Sequence, residues 1–431
     1  MSKIRKFTDI SDIDNFLAKR DSSSVAKEVN QVVKSIISDV KKDENEVFNY
    51  TKKFDALDLN SENIKFSQGE IDQAYQETDK ELINSLEIAY KRVLNYHSKQ
   101  LPEDFNYEDE YKNQLGWKWY PIENIGIYVP GGKASYPSSV IMSAAIAKVA
   151  GNKRVIISMP CPKGKYSKAV LAAAKICGIE DVYKVGGAQA ISAMAFGTSY
   201  IPKMDKIVGP GNAYVAEAKR QLYGEVGIDS IAGPSEVMII ADNSAKPEYI
   251  VADLMAQAEH DSMASSILVT NDQKLAEQVD KLMVEEIELM PRKDITKISW
   301  QKNGAIFLVD DLTKDASAIA NILAPEHLQL MTNNNPFFID NITKAGAIFV
   351  GDDTSEAIGD YIAGASHVLP TAQTARFSSG LSIYDFLRKS SVTKFSSKGV
   401  EVLGPDVVKL AESEGLFSHA KSAKLRLDKK K

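Results

Sequence analysis

The sequence predicts an α/β protein with mostly parallel sheets divided between two lobes. Three observations predict it. From Trp117 onward, short β-rich runs alternate with helical ones, which is the pattern of βα units. Eight such runs fall within about 240 residues, more than one small doubly wound sheet holds. A length of 431 residues also calls for two or more domains.

Before Trp117 the chain reads as helical. Val29, Val32, Val33, Ile36, Ile37 and Val40 recur at helical spacing, and Leu82, Leu86, Ala89, Val93 and Leu94 repeat the pattern within Ile71–Tyr96. These helices read as scaffold or dimer surface, and His97, in a polar setting at the end of the second, reads as solvent-exposed. The expected strands are Gly126–Val129, Arg154–Met159, Val182–Val185, Lys206–Val208, Val237–Ala241, Ser266–Thr270, Ala305–Val309 and Ala347–Val350. Gly304–Asp311 (GAIFLVDD) and Gly346–Asp353 (GAIFVGDD) resemble each other, over too short a span to establish duplication.

Glycine-rich turns follow three of the early strands: Val129–Ser139 (VPGGKASYPSS), Val185–Ala190 (VGGAQA) and Val208–Tyr214 (VGPGNAY). Glycine lets backbone approach a ligand, and a following helix N-terminus favours phosphate. None is a G-x-G-x-x-G fingerprint with its acid, so together they suggest a nucleotide across the strand ends of one lobe without demonstrating it.

Ala232–Asp261 reads as a Gly-Pro turn, a buried strand and a helix that Asn243 or Ser244 would cap, with Pro247 in its first turn. Gln257 and His260 stand three apart at the end of that helix. They suit a metal or a polar ligand, or simply a half-buried histidine at a helix end. In Leu323–Leu330 (LAPEHLQL), Pro325 reads as a helix start with Glu326 and His327 in the first turn. There the helix dipole favours ionised Glu326 and a neutral His327, as a general base requires; a plain surface pair is the alternative. Gly359–Thr371 (GDYIAGASHVLPT) places Asp360 and His367 in an irregular segment, Asp360 a possible ligand and His367 equally suited to bonding within the loop. Arg376 reads as an anion or structural contact, and the basic end KSAKLRLDKKK as a solvated, frayed terminus.

The chain holds five histidines. If Gln257, His260, Asp360 and His419 converge, they form an N/O site suited to zinc or another borderline divalent ion. A net charge of −6 argues against a general nucleic-acid binder. The first residues have no apolar core of signal-peptide type, and the most apolar segment, Val140–Gly151, is too short to span a bilayer. Two cysteines, Cys161 and Cys177, make no metal pair or disulfide framework and read as packing residues in a reducing cytoplasm.

Taken in order, IDSIAGPSEV, QAEHD, LAPEHLQL, GDYIAGASHVLPT, TARFSSGLS and EGLFSHA resemble the histidinol dehydrogenase family, as do YVPGGKASYPSS, VGGAQA and IVGPGNAYV. The resemblance runs from about Asn15 to Ala420. It implies a two-step oxidation of L-histidinol, through the aldehyde, to L-histidine with two NAD⁺, the final step of histidine biosynthesis. It implies one Zn²⁺ on Gln257, His260, Asp360 and His419, orienting the substrate. His327 matches the general base and Glu326 the acid that activates water. Ser235 and Glu414 match substrate contacts, alongside His327 and the metal ligands. Tyr128, Gln189 and Asn212 match NAD contacts, one in each glycine-rich turn. The implied fold is two incomplete Rossmann-like lobes with small helical N- and C-terminal units. These would be 1–25 as an N-terminal arm, 26–127 with 237–381 as the metal and catalytic lobe, 128–236 as the NAD lobe, and 382–431 as a unit exchanged in a homodimer. Glu414 and His419 would then complete the partner's site. Ala372 and Gln373 depart from the family's more glycine-rich pair after HVLPT, and Ser366 before His367 is a milder departure.

Two other readings use some of the same residues. A zinc hydrolase would activate water with Glu326 or His327 and would not need the glycine-rich turns. A two-lobed binding protein would tolerate loss of His327.

Overall fold

A computed structural model describes residues 3–18, 23–131 and 136–428. Gly132–Ser135 of the first glycine-rich turn, parts of the expected N-terminal arm (1–2 and 19–22) and the last three lysines lie outside the described residues. The strands in chain order are β1 (Ile4–Lys6), β2 (Phe105–Glu108), β3 (Gln114–Pro121), β4 (Asn124–Tyr128), β5 (Arg154–Ser158), β6 (Val182–Tyr183), β7 (Lys206–Val208), β8 (Gly227–Ile228), β9 (Glu236–Ala241), β10 (Ser265–Thr270), β11 (Ala305–Leu308), β12 (His327–Met331), β13 (Ala347–Val350) and β14 (Leu387–Lys394).

The chain forms two compact units: Met1–Lys99 with Glu123–Phe386, and Gln100–Ile122 with Leu387–Lys431. The first holds two wholly parallel sheets, as the βα spacing predicts. One has six strands in the order β1-β11-β10-β9-β12-β13, the other five in the order β6-β5-β4-β7-β8. Each sheet reverses its winding direction once, between β9 and β12 and between β4 and β7, which are the topological switch points of open α/β sheets.

Strand β9 shows why its sequence is a continuous apolar run. Val237, Ile239 and Ala241 face one core, and Met238 and Ile240 face the other, so both faces are covered. Helix Pro247–Ala258 packs on the first face through Ile250, Val251 and Leu254. Helices Ser23–Lys42 and Glu46–Asp55 contribute Val29, Val33, Ile36 and Val47 to the core of the five-stranded sheet, which also takes in Tyr128, Ile191 and Ile207. Strand β1, hidden in the sequence by two basic residues, closes the edge of the six-stranded sheet against β11.

Several local expectations change. His97 is buried, because it follows Val93 by four residues and shares the inward face of helix Lys80–Ser98 with Leu86, Ala89 and Val93. Helix Pro247–Ala258 is preceded by Lys246, which makes no side-chain cap, because Ser244 is drawn into a turn on the Asp242 carboxylate. Pro247 does open the helix. Both cysteines are buried and free, and burial pushes the Cys161 thiol up to about 12.

The second unit joins an antiparallel sheet, β14-β3-β2, to helices Ser397–Ser413 and Phe417–Leu427. The Asn113 carboxamide oxygen accepts the Ser396 N–H at 3.0 Å, and the Ser396 hydroxyl caps the first of these helices. Most of the basic tail is therefore helix rather than frayed chain. Among the described residues, no helix is long and apolar enough to cross a membrane.

Candidate active site

Glu326 and His327 do not start a helix. Helix Leu312–Leu323 ends on Ala324 in the left-handed region (φ 44°), Pro325 blocks its continuation, and His327 begins strand β12. The run HLQLM is buried throughout and pairs with β9 and β13, so tertiary pairing overrides the helix-start pattern. Leu328 and Leu330 point into one core, while His327, Gln329 and Met331 face the side that carries helix Pro247–Ala258. Gln329 donates to Asp253 of that helix at 2.7 Å.

Register does the rest. His327 lies opposite Val237, so its ring meets the first residue of β9. Its Nδ1 lies 3.1 Å from the Glu236 carbonyl oxygen. A carbonyl only accepts, so Nδ1 carries a proton, and whenever the ring is neutral its lone pair lies on Nε2. Glu326 Oε2 accepts the Glu236 N–H at 3.0 Å, so one peptide segment positions both neighbours. Phe349 stacks on the His327 ring at 5.9 Å.

Three carboxylates surround this imidazole. Glu326 Oε2 lies 3.8 Å and Glu356 Oε1 3.9 Å from Nδ1, and Asp360 Oδ1 lies 3.5 Å from Nε2. Glu356 and Asp360 are four apart on the short helix Glu356–Tyr361, which puts both on one face. Asp360 is thus helical rather than in an irregular segment. Burial pushes the Glu326 carboxyl up to about 7 and that of Glu356 to about 8. Burial alone would lower the His327 pKa, but Glu356, Glu326 and Asp360 raise it well above the ordinary value. Asp360 is held low despite burial, by its bond to His327 and that ring's charge.

Gln257 is fully buried in the last turn of its helix with its carboxamide against Glu356; turned so that its nitrogen meets that carboxylate, it donates at 2.8 and 3.2 Å. His260 follows the helix end and lies in the fields of Asp360 and His327. One donor atom each from His327, Glu356 and Asp360 lies within 4.8 Å of the others, a spacing a cation can bridge. The structure thus brings Gln257, Asp360, Glu326 and His327 together, with His260 near and Ser235 leading into β9. Glu414 and His419 are exposed in the second unit, at the end of helix Ser397–Ser413 and in helix Phe417–Leu427. Sequence reasoning missed Glu356, Glu236 and Phe349. The four-residue spacing of Glu356 to Asp360 was the available signal.

His367 is bonded within its loop and beyond it. Its Nδ1 donates to the Asp360 carbonyl at 2.9 Å, and its Nε2 accepts from the Ser139 hydroxyl at 3.3 Å. Arg376 makes a structural contact, Nε donating to the Gln373 carbonyl at 3.1 Å.

The glycine-rich turns lie at the carboxyl ends of β4, β6 and β7. The Tyr128 hydroxyl accepts the Gly187 N–H at 3.1 Å, joining the first and second turns. Gln189 is 1% exposed, and its Oε1 has no hydrogen-bond partner among the described residues. Asn212 caps helix Ala213–Leu222 through its oxygen, which accepts from Tyr214 and Val215 N–H at 3.0 and 3.2 Å, while the residue remains exposed.

Two parallel sheets, one with an acid–imidazole cluster at its amino edge and one with glycine turns at its carboxyl edge, define an α/β protein with an enzyme-like cluster of titratable groups. Comparison with known proteins gives the family. The histidinol dehydrogenase family model matches residues 19–427. Histidinol dehydrogenase of Rhodospirillum rubrum is 45% identical over 412 residues, spanning 95% of this chain and 94% of that one. That of Agrobacterium fabrum is 47% identical over 405 residues, 94% of each chain. The crystal structure of histidinol dehydrogenase from Elizabethkingia anophelis matches with a TM-score of 0.92 at 36% identity, covering 99% of this chain and 98% of that one. The chain belongs to the histidinol dehydrogenase family, and is accordingly an oxidoreductase of histidine biosynthesis.

The departure at Ala372 and Gln373 has a structural cost. Both are left-handed, at φ 52° and 62°, where a Cβ is disfavoured by roughly 1–2 kcal/mol per residue. The segment is held there by the Thr371 hydroxyl, which accepts the Gly233 N–H at 2.6 Å, and by Gln373, which donates to the Ile322 carbonyl at 2.9 Å. Ala372→Gly is expected to gain up to about 1 kcal/mol in urea unfolding, the relieved strain less the greater backbone entropy of glycine. A loss of stability would show that the turn is not strained.

Proposed function

We propose that this site oxidises L-histidinol to L-histidine in two NAD⁺-dependent steps, with one Zn²⁺ per subunit and His327 and Glu326 moving the protons. The observation that carries the reading is the orientation of His327, its Nδ1–H on the Glu236 carbonyl and Nε2 toward the carboxylate cluster, so that once a cation offsets those carboxylates the neutral ring presents Nε2 as a base. His327 Nε2 takes the alcohol proton as hydride leaves the carbon for NAD⁺. Water then adds to the aldehyde. Glu326, adjacent in the chain and held near neutrality by burial, takes the proton from that water. His327, having released its first proton to solvent, accepts again as the hydrate loses its hydride to a second NAD⁺.

The donor chemistry fits a borderline divalent cation. Glu326, Glu356 and Asp360 gather around one imidazole in a largely buried space, an excess of negative charge that a cation offsets. Gln257, His260 and Asp360 would hold it, with the partner subunit's His419. When bound, the ion supplies positive charge that orients the substrate's imidazole and amino nitrogens. Gln257 fits this role because Glu356 occupies its amide nitrogen. Ser235 and the partner subunit's Glu414 would contact the substrate. Tyr128, Gln189 and Asn212 would hold NAD⁺ at the β4/β7 switch point. The free cysteines fit a cytoplasmic setting.

Limiting L-histidinol with excess NAD⁺ is expected to give two NADH per substrate at 340 nm, an absorbance change abolished by chelation and restored by zinc. A single NADH would mean that the aldehyde escapes. No NADH from folded, zinc-loaded protein would favour the hydrolase alternative or a different alcohol substrate. His327→Asn is expected to lower turnover of both oxidations at least 100-fold with zinc retained, while Glu326→Gln slows oxidation of the aldehyde far more than that of the alcohol. Equal losses in the Glu326 variant would remove the division of roles. His419→Asn is expected to at least halve zinc content measured on purified dimer; unchanged metal would take His419 out of the ligand set.

A further inference from the structure

The turn after β7 is held by a device that the catalytic reading leaves unexplained. Gly209 has φ +109°, and a Cβ there would lie 2.2 Å from the Tyr128 carbonyl oxygen. Both polar groups of this glycine are fixed by one ion pair. Its N–H donates to Asp229 Oδ2 at 2.7 Å, and its carbonyl accepts from Lys219 Nζ at 3.0 Å. Lys219 and Asp229 also bond each other, with side chains only 2% and 4% exposed. The second Asp229 oxygen takes the Ser230 N–H at 2.7 Å, at the start of the segment that leads to Ser235.

A buried ion pair loses hydration that its Coulomb attraction only partly restores, so well-packed apolar residues often match it in stability. Stability alone therefore gives little reason for these two charges. Position does. Lys219 sits in helix Ala213–Leu222, whose first turn is capped by Asn212, and it reaches back ten residues to Gly209 in the turn that carries the cap. Gly209 abuts Tyr128, and the Tyr128 hydroxyl holds Gly187 of the neighbouring turn. The pair thus governs one glycine, which sets the spacing of two strands at the switch point and of the two turns above them.

We propose that Lys219 and Asp229 are positioning residues for the dinucleotide, holding the Gly209–Asn212 turn and Tyr128 in the shape that receives it. The proposal rests on NAD⁺ binding at these turns. The test uses full-length, zinc-loaded protein and compares wild type, Lys219→Met/Asp229→Leu and Asp229→Asn. NAD⁺ titration gives Kd, and steady-state assays give KM for NAD⁺ and for histidinol. Tm and zinc content are measured alongside. The double variant is expected to keep its Tm within a few degrees and its zinc and histidinol KM unchanged, while Kd and KM for NAD⁺ rise at least tenfold. Asp229→Asn, nearly isosteric, is expected to weaken NAD⁺ severalfold and serves if the double variant does not fold. A purely structural pair would lower Tm, zinc and both KM-linked affinities together, or nothing at all in the double variant, and either result overturns the proposal. Folded variants that bind NAD⁺ as wild type does also overturn it. Wild-type protein without saturable NAD⁺ binding overturns the cofactor reading first, and this proposal with it.

Discussion

The acid–imidazole cluster depends on one hydrogen bond, from the His327 imidazole to the Glu236 backbone carbonyl. It forms because β12 and β9 are parallel and in a register that sets His327 against Val237. In a strand, side chains alternate faces. A slip of one residue would turn His327 into the core occupied by Leu328 and Leu330, and would bury Leu328 among carboxylates. The register is secured along the strand by apolar packing and by Gln329 on Asp253. Chemistry at the amino edge is thus fixed by the core behind it.

The two sheets of the first unit present opposite ends. Glu326, His327 and Glu236 stand where β12 and β9 begin. Tyr128, Gly187 and Gly209 stand where β4, β6 and β7 have finished. The Ser139–His367 contact links the helix after β4 to the loop after Asp360, so the edges are joined within the unit by polar contact rather than by a shared sheet.

Much of this was legible in the sequence. All eight expected strands formed, most of them short apolar runs covered on both faces, although the equally buried β12 was read as a helix start because of Pro325. The glycine-rich turns were legible for a related reason, since Gly187 and Gly209 take positive φ that other residues resist. What failed was local reasoning overruled from afar. Pro325 before Glu326 looks like a helix start, and only pairing with β9 makes it a strand entry. His97 looked polar in its neighbourhood, yet its helical phase buries it. Glu356 was missed because an acid in a helical first turn is ordinary; it becomes part of the site only when Gln257 and His327 arrive from other elements. Strands β1, β2, β3 and β14 carry charged or exposed residues and lack the apolar signature altogether.

The way the elements are distributed along the chain has a consequence for its synthesis. The five-stranded sheet is drawn from one contiguous stretch, β4 to β8, and can close as soon as that stretch has left the ribosome. The six-stranded sheet takes its edge from the first residues of the chain, and β1 has no partner until β11 emerges. The antiparallel sheet waits longer still, since β3 was made early and its partner β14 is the last strand of all. Birth order therefore runs from the five-stranded sheet to the acid–imidazole edge to the terminal unit. A nascent chain interrupted midway would carry a finished five-stranded sheet and lack the acid–imidazole cluster.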